Sequence, residues 1–141
     1  MSDKKEYIGG IIKDIFDLPS PKIQESRKKD ITEFVNIAIN GDTIDSHLVL
    51  DISNDEKPSV AVYILTDKRL IQIDIETDIE AKSSVYLLSE IIGVERKLIE
   101  SDRMEVRIIF KNGLVGLRHP KKASTTTAFF QKIEQIWAER A

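Results

Sequence analysis

The sequence predicts an α+β fold in which a run of antiparallel strands, about seven by pattern, is flanked by helices at both ends. Two observations support this. Apolar residues recur every three or four positions before residue 41 and again after residue 121, and they alternate with polar residues in between. The strands also follow one another without intervening helices, which is typical of antiparallel α+β proteins and not of parallel α/β proteins.

Two helices are predicted before residue 41. The first covers residues 4–17 and is weakened by Gly9-Gly10. The second is predicted to begin at Ser20-Pro21, because serine accepts a free backbone N–H and proline in the first turn loses no hydrogen bond. Asn40-Gly41 should end it, since glycine tolerates a left-handed cap. Its expected buried stripe contains Ile23, Arg27, Ile31, Phe34, Val35 and Ala38.

The first three strands follow from alternation. In TIDSHLVLDIS, starting at residue 43, one face is predicted to carry Ile44, Leu48, Leu50 and Ile52, and the other Asp45, His47 and Asp51. The next segment, SVAVYILT, is apolar on both faces and predicts a central strand. RLIQIDIE then alternates Ile71, Ile73 and Ile75 with Gln72 and Asp74.

Four further strands and a closing helix complete the predicted fold. The strands lie in SVYLL, IIGVERKLIE, RMEVRIIF and LVGLRH. Asn112-Gly113 predicts the last hairpin, because both residues tolerate positive φ. In RMEVRIIF the inward face is expected to be Met104, Val106, Ile108 and Phe110, opposite Glu105 and Arg107. The closing helix carries a stripe of Ala128 or Phe129, Phe130, Ile133, Ile136 and Trp137, which is wide enough to cover one end of a sheet.

Composition excludes several classes of protein. The formal net charge of −3 gives no electrostatic footprint for nucleic acid. The chain has no cysteine, so disulfides, thiolate zinc sites and a cysteine nucleophile are excluded. Charged residues interrupt the N-terminal apolar run before it reaches signal-peptide length, and no segment approaches the roughly 20 apolar residues of a membrane span. A cytoplasmic location is therefore expected.

Three motifs, in this order, resemble the bacterial branch of the pleckstrin-homology-like (PH/GRAM-like) domain family. They are the hairpin ILTDKRLIQI (64–73), the strand-bend-strand VYLLSEIIGVE (85–95), and FKNGLVGLRHPKKASTTTAFFQKI (110–133), which joins the final hairpin to the closing helix. The resemblance implies a PH-like domain over residues 43–141. Its fold would be a partly open antiparallel β-barrel or sandwich closed by the C-terminal helix, and residues 1–42 would be an added helical extension.

Phosphoinositide binding, which many members of that family show, does not carry over to this chain. The resemblance would place the lipid-binding basic residues in the loop SNDEKPS, residues 53–59. That loop holds Asp55 and Glu56 against the single Lys57, so a phosphate would meet repulsion there.

Two basic groups are candidate contacts for an anion, a lipid or a partner. Lys68 and Arg69 could contact phosphate head groups, but the interpretation we favour is that Asp67 and Lys68 fill a polar turn and Arg69 caps a strand end. The second group could form an anionic-partner site at the start of the closing helix or could simply be a solvated surface. It contains Lys111, Arg118, His119, Lys121 and Lys122.

The sequence provides little support for catalysis or cofactor binding. His47 and His119 are the two histidines, and neither has metal-ligand spacing. No P-loop, G-x-S-x-G or G-x-G-x-x-G motif is present. The acidic run DIETDIE, residues 74–80, lacks the glycine and spacing of a calcium loop and predicts a charged strand face that protects a sheet edge.

The expected function is therefore non-catalytic binding or scaffolding, with a protein partner or a second copy of the chain as ligand. If a peptide groove exists, the resemblance places it between a sheet edge and the closing helix. Two alternatives stay open: peripheral binding to anionic membranes, and a small enzyme with an unrecognised site. The membrane surface would be formed by Lys68, Arg69, Lys111, Arg118, Lys121 and Lys122. The N-terminal helices are expected to dock on their own chain, with docking on another subunit as the alternative.

Overall fold

The computed structural model describes residues 3–53, 58–76, 80–100, 103–120 and 124–140. The helices are α1 (Asp3–Asp17), α2 (Lys28–Ile39) and α3 (Ser124–Arg140). The strands are β1 (Ile44–Asp51), β2 (Ser59–Thr66), β3 (Arg69–Glu76), β4 (Ala81–Leu87), β5 (Ile91–Glu100), β6 (Arg103–Phe110) and β7 (Gly113–Pro120). The chain divides into two compact units, Met1–Val85 and Tyr86–Ala141.

The α+β class, the seven strands and the helices at both ends are confirmed. The strands form two antiparallel sheets, with the orders β1-β2-β3-β4 and β5-β6-β7. Among the described strands the pairing gives open sheets and no closed barrel. In the same part of the chain, no helix is long and apolar enough to cross a membrane.

The first unit is organised around one apolar core that both N-terminal helices share with the sheet. The core contains Ile11 and Ile15 of α1 and Val35 and Ile39 of α2, and all four are nearly inaccessible to solvent. These side chains pack with the inward residues of the first three strands, among them Val62, Ile64, Ile71, Ile73 and Ile75. The predicted docking of the helices on their own chain is confirmed. The predicted domain boundary after residue 42 stays a prediction.

The predicted start of the second helix at Ser20-Pro21 is wrong. The chain stays irregular through Gln24, passes through a short 3-10 turn at Glu25–Arg27, and becomes α-helical at Lys28. The reason is packing and hydrogen bonding. Ile23 is buried in the core from this irregular segment, and the neighbouring Lys22 ammonium donates to the Phe16 carbonyl near the end of α1, at 2.7 Å. These tertiary contacts override the local preference of Ser20-Pro21 for a helix start.

The predicted face assignment of the first strand is also wrong, because β1 contains a bulge. Ile44 pairs with Thr66 but Ser46 pairs with Leu65, so Asp45 is an extra residue. The bulge puts Ile44 and Val49, which are five positions apart, against the same core. His47 therefore lies on the helix-facing side of the sheet, where its ring meets Asp14 of α1.

The strands β2 and β3 follow the prediction, whereas β4 begins at Ala81, three residues before the predicted SVYLL. All residues of β2 from Val60 to Thr66 are buried, as expected for a central strand. In β3 the three alternating isoleucines are fully buried, and Gln72 and Asp74 are half-buried. The sequence pattern is strongest here because both strands lie between neighbours.

The last hairpin of the second unit forms, but its turn is shifted by one residue. Phe110 pairs with Gly113, so Lys111 and Asn112 are the turn residues and not Asn112-Gly113. Glu90 holds this register. Its carbonyl accepts from the Lys111 backbone N–H at 3.0 Å, and its carboxylate accepts from the Asn112 side-chain amide at 3.2 Å. A tertiary anchor thus replaces the turn chemistry that the dipeptide predicts.

Buried apolar side chains of the second unit lie on β6 and on α3. Val106, Ile108 and Phe110 are buried as predicted, and the Tyr86 and Phe110 rings stack with centroids 4.8 Å apart. Glu105, predicted on the polar face, is buried as well and pairs with Arg107. The side chain of Met104 lies outside the described residues. In α3 the buried residues are Phe129, Phe130 and Ile133, whereas Ala128 is exposed.

Candidate functional site

The basic turn at the tip of the β2–β3 hairpin is built around Thr66. Its hydroxyl accepts from the backbone N–H groups of Lys68 and Arg69, at 3.2 and 2.9 Å, and donates to the Asp42 carboxylate at 2.9 Å. This is a hydroxyl-capped turn of the kind that serine and threonine favour. The geometry holds the turn to the loop that follows α2.

The Arg69 guanidinium points into the protein. Its Nε donates to Asp42 Oδ2 at 2.6 Å, and one terminal nitrogen donates to the carbonyls of Ile39 and Ala38 at 2.6 and 3.1 Å. The side chains of Arg69 and Asp42 are only 15% and 13% exposed. Arg69 therefore caps the C-terminal end of α2 and not a strand end, and these donors are already engaged.

The neighbours of Asp42 shift the pKa of its carboxyl group. Burial by itself raises the pKa of the Asp42 carboxyl, but the hydrogen bonds from Arg69 and Thr66 outweigh it. The net result is a pKa below the ordinary aspartate value.

The other predicted basic residues are only partly placed. Lys68 is exposed at the hairpin tip in the first unit, and Lys111 is exposed at the β6–β7 turn in the second. Arg118 and His119 belong to β7, but their side chains lie outside the described residues, as do Lys121 and Lys122 altogether. The loop residues Asp55, Glu56 and Lys57 and residues 77–79 of the acidic run also lie outside them.

A solvent-open groove of about 370 Å³ lies in the first unit between α1 and β1. It is lined by Glu6, Tyr7 and Gly10 of α1 and by His47 of β1. Tyr7 is 45% exposed. The His47 Nε2 lies 2.7 Å from Asp14 Oδ2, so the imidazole is oriented by a carboxylate from the neighbouring helix. The sequence does not predict this pair, because 33 positions separate its members and the bulge at Asp45 changes the side on which His47 lies.

The second candidate surface is the free edge of β5. In the described sheet β5 pairs with β6, and its other edge has no partner strand. Ile92 and Leu98 are 57% and 60% exposed, and Glu95, Arg96 and Lys97 lie between them, also exposed. Arg96 forms an ion pair with Glu134 of α3. Glu95 stands opposite Arg107 and Lys97 opposite Glu105 on β6, so the charges alternate across this part of the sheet.

The chain matches no protein-family model and no curated protein. Among the described residues there is also no group of three histidine, aspartate or glutamate side chains that could hold a metal ion. The two surfaces above are thus interpreted from their own chemistry.

Proposed function

We propose that this chain is a non-catalytic, cytoplasmic binding module that associates with a second copy of itself through β5. The two copies would pair their β5 strands in antiparallel orientation about a two-fold axis at Arg96. Such pairing joins two three-stranded sheets through backbone hydrogen bonds, which is a common mode of protein association.

The self-complementary charge pattern of β5 is the observation that carries the proposal. In an antiparallel pair centred on Arg96, each Glu95 stands opposite the Lys97 of the other copy. Across the joined sheet, one row of side chains then contains Arg107 and Glu95 of one copy followed by Lys97 and Glu105 of the other. The signs of these charges alternate throughout. Arg96 would meet its own equivalent, but its charge is compensated within each copy by Glu134.

The apolar residues of β5 fit the same arrangement. Val94 of one copy would stand opposite Leu98 of the other, which covers a leucine that is 60% exposed in a monomer and a valine that is half-buried. The edge lies beside α3, since Arg96 and Glu134 link strand and helix. This is the place where the PH-like resemblance predicts a peptide groove. We propose that the fold is PH-like on two grounds: the 4 + 3 order of the strands and the helix that follows them.

The test is a charge-reversal and mixing experiment by sedimentation velocity, over about a hundredfold range of protein concentration. The wild type should show concentration-dependent dimerisation. Glu95→Lys and Lys97→Glu each create two like-charge pairs across the axis, and each should weaken dimerisation about 30-fold, at about 1 kcal/mol per pair. An equimolar mixture of the two variants restores opposite charges at both positions, so the mixture should dimerise where neither variant alone does.

Two controls separate association from misfolding. Each substitution also places a like charge opposite a residue of β6, so circular dichroism must first show that both variants are folded. Ile37→Lys changes an isolated side chain on α2 that is 73% exposed, and it should leave the dimerisation constant unchanged. A wild type that stays monomeric throughout, or a mixture that behaves as its components do, would overturn the proposal.

A further inference from the structure

The groove between α1 and β1 has no part in the β5 association, and its lining has a chemistry of its own. Glu6 contributes a carboxylate, Tyr7 a phenol ring that is 45% exposed, and His47 an imidazole. Tyr7, Gly10 and Asp14 follow one another at three and four residues along α1, so they form one stripe on the helix surface. Glu6 and His47 flank that stripe.

Gly10 keeps the groove open. A Cβ at this position would meet no atom within 4 Å, and Gly10 has an ordinary helical backbone. Neither crowding nor positive φ therefore requires glycine here, although glycine weakens a helix relative to alanine. Because Gly10 lines the groove, a longer side chain at this position would extend into it. Gly9 has equally open surroundings but does not line the groove, so it serves as a matched control.

The groups around the groove are acceptors of hydrogen bonds. The Glu6 carboxylate and the Tyr7 oxygen can accept, and Asp14, whose Oδ2 lies 2.7 Å from the His47 Nε2, has a second carboxylate oxygen that can accept as well. The nearby Lys13 ammonium is paired with Asp17 at 2.6 Å, so its charge is compensated. The exposed Tyr7 ring adds a face that attracts cations.

We propose that this groove binds an organic cation with several N–H donors, that is, an alkylguanidinium or alkylammonium group. Two carboxylates attract such a group, its donors match the acceptors, and its apolar stem would lie along the Tyr7 ring. An anion would meet Glu6 and Asp14, and so is repelled. The group could belong to a free amine or to an arginine or lysine side chain of a protein segment.

The experiment is a titration of the full-length protein followed by NMR of the His47 imidazole and the Tyr7 ring. The probes are ethylguanidinium chloride, n-butylammonium chloride and, as the matched anion, sodium propionate, all at constant ionic strength. The chain has two histidines, so a His119→Gln variant assigns the imidazole signals. We expect saturable shifts with both cations and none with propionate.

Three variants locate the site. Gly10→Leu fills the groove and should weaken ethylguanidinium binding by at least about tenfold. Gly9→Leu makes the same change one position away and should alter it by less than about twofold. Glu6→Gln removes one exposed charge and should weaken it about threefold. Non-saturable shifts, equal shifts with propionate, or unchanged binding in a folded Gly10→Leu variant would each overturn the proposal.

A blocked Gly-Arg-Gly tripeptide distinguishes the two sources of the cation. Binding about tenfold tighter than ethylguanidinium assigns the groove to an arginine in a protein segment, because the flanking backbone then contributes contacts. Equal binding assigns it to a free amine or guanidine. The dimerisation experiment is independent of either result, since it changes only residues of the β5 edge and the α2 surface.

Discussion

Arg69 shows how one side chain can join elements that are distant in sequence. It begins β3, yet its hydrogen bonds go to Asp42 and to the last carbonyls of α2, 27 to 31 positions earlier. The sequence pattern predicts the turn in which Arg69 lies, because turn chemistry is local. It does not predict where the guanidinium points, because that depends on how α2 packs against the sheet.

Replacing Arg69 by alanine should destabilise the protein by about 3 kcal/mol, since it leaves the largely buried Asp42 carboxylate without its cationic partner and removes the guanidinium hydrogen bonds to two helix carbonyls. Arg69→Lys should recover little of this, because an ammonium cannot bond to Asp42 and to the carbonyls with the same planar geometry. The measurement is urea denaturation at pH 7. Lys68→Ala at the exposed neighbouring position is the control and should stay within about 0.5 kcal/mol of the wild type. An Arg69→Ala variant as stable as that control would contradict the capping role.

Asp42 should make the free energy of unfolding depend on pH. Because its pKa is lowered in the folded protein, its stabilising contribution is fully present above the unfolded value of about 3.9 and is lost as the pH falls through the lower folded value. We therefore expect the wild type to be more stable than Asp42→Asn at pH 7, and the difference between their free energies of unfolding to shrink below about pH 4. Urea titrations of both proteins from pH 7 to about pH 2.5 measure it. A difference that stays constant with pH would show that the carboxylate charge does not contribute.

Among the secondary-structure elements, the hydrophobic pattern gives a wrong face assignment where one extra residue interrupts the alternation. The alternation in β1 predicts that Ile44 and Leu48 share a face, but the bulge at Asp45 reverses the relation between them. The sequence holds no local mark of this bulge, since it contains no glycine there. By contrast, the predictions for β2 and β3 are correct. β2 is buried on both faces and is therefore apolar throughout, and β3 has no bulge and alternates strictly between apolar and polar residues.

Two glycines in the N-terminal helical region should respond in opposite ways to the same substitution. Gly41 follows the left-handed Asn40 cap of α2 with φ of 84°, whereas Gly9 lies inside α1, and a Cβ would meet no atom within 4 Å at either position. Gly41→Ala should therefore destabilise by about 1 kcal/mol through backbone strain alone. Gly9→Ala should stabilise by about 1 kcal/mol through helix propensity. Thermal and urea unfolding would test both, and changes of equal sign would show that backbone conformation does not set the difference.

For the whole molecule, the order of the elements could be predicted from the sequence but the candidate sites could not. Periodicity identifies helices and strands because burial of one face is a local requirement. The groove depends on Gly10, Asp14 and His47 meeting across a helix and a strand. The β5 edge depends on which strand ends a sheet. Both are consequences of topology, which no short segment encodes.

Membrane binding by the hairpin tip should be tested at Lys68 alone. A Lys68→Glu/Arg69→Glu variant would lose the Arg69–Asp42 bridge, so a loss of binding could simply report unfolding. Lys68→Glu alone reverses the exposed charge and leaves the Arg69–Asp42 bridge in place, so it should keep the fold. With a net charge of −3, and with one basic residue near the surface worth about 1 kcal/mol, we expect no pelleting of the wild type with anionic phosphatidylserine vesicles at low or physiological salt. If the wild type does pellet, and if this pelleting is lost both at high salt and in Lys68→Glu, the hairpin tip is a membrane contact. Salt should weaken such a contact because it screens exposed charges beyond about 10 Å at 0.1 M.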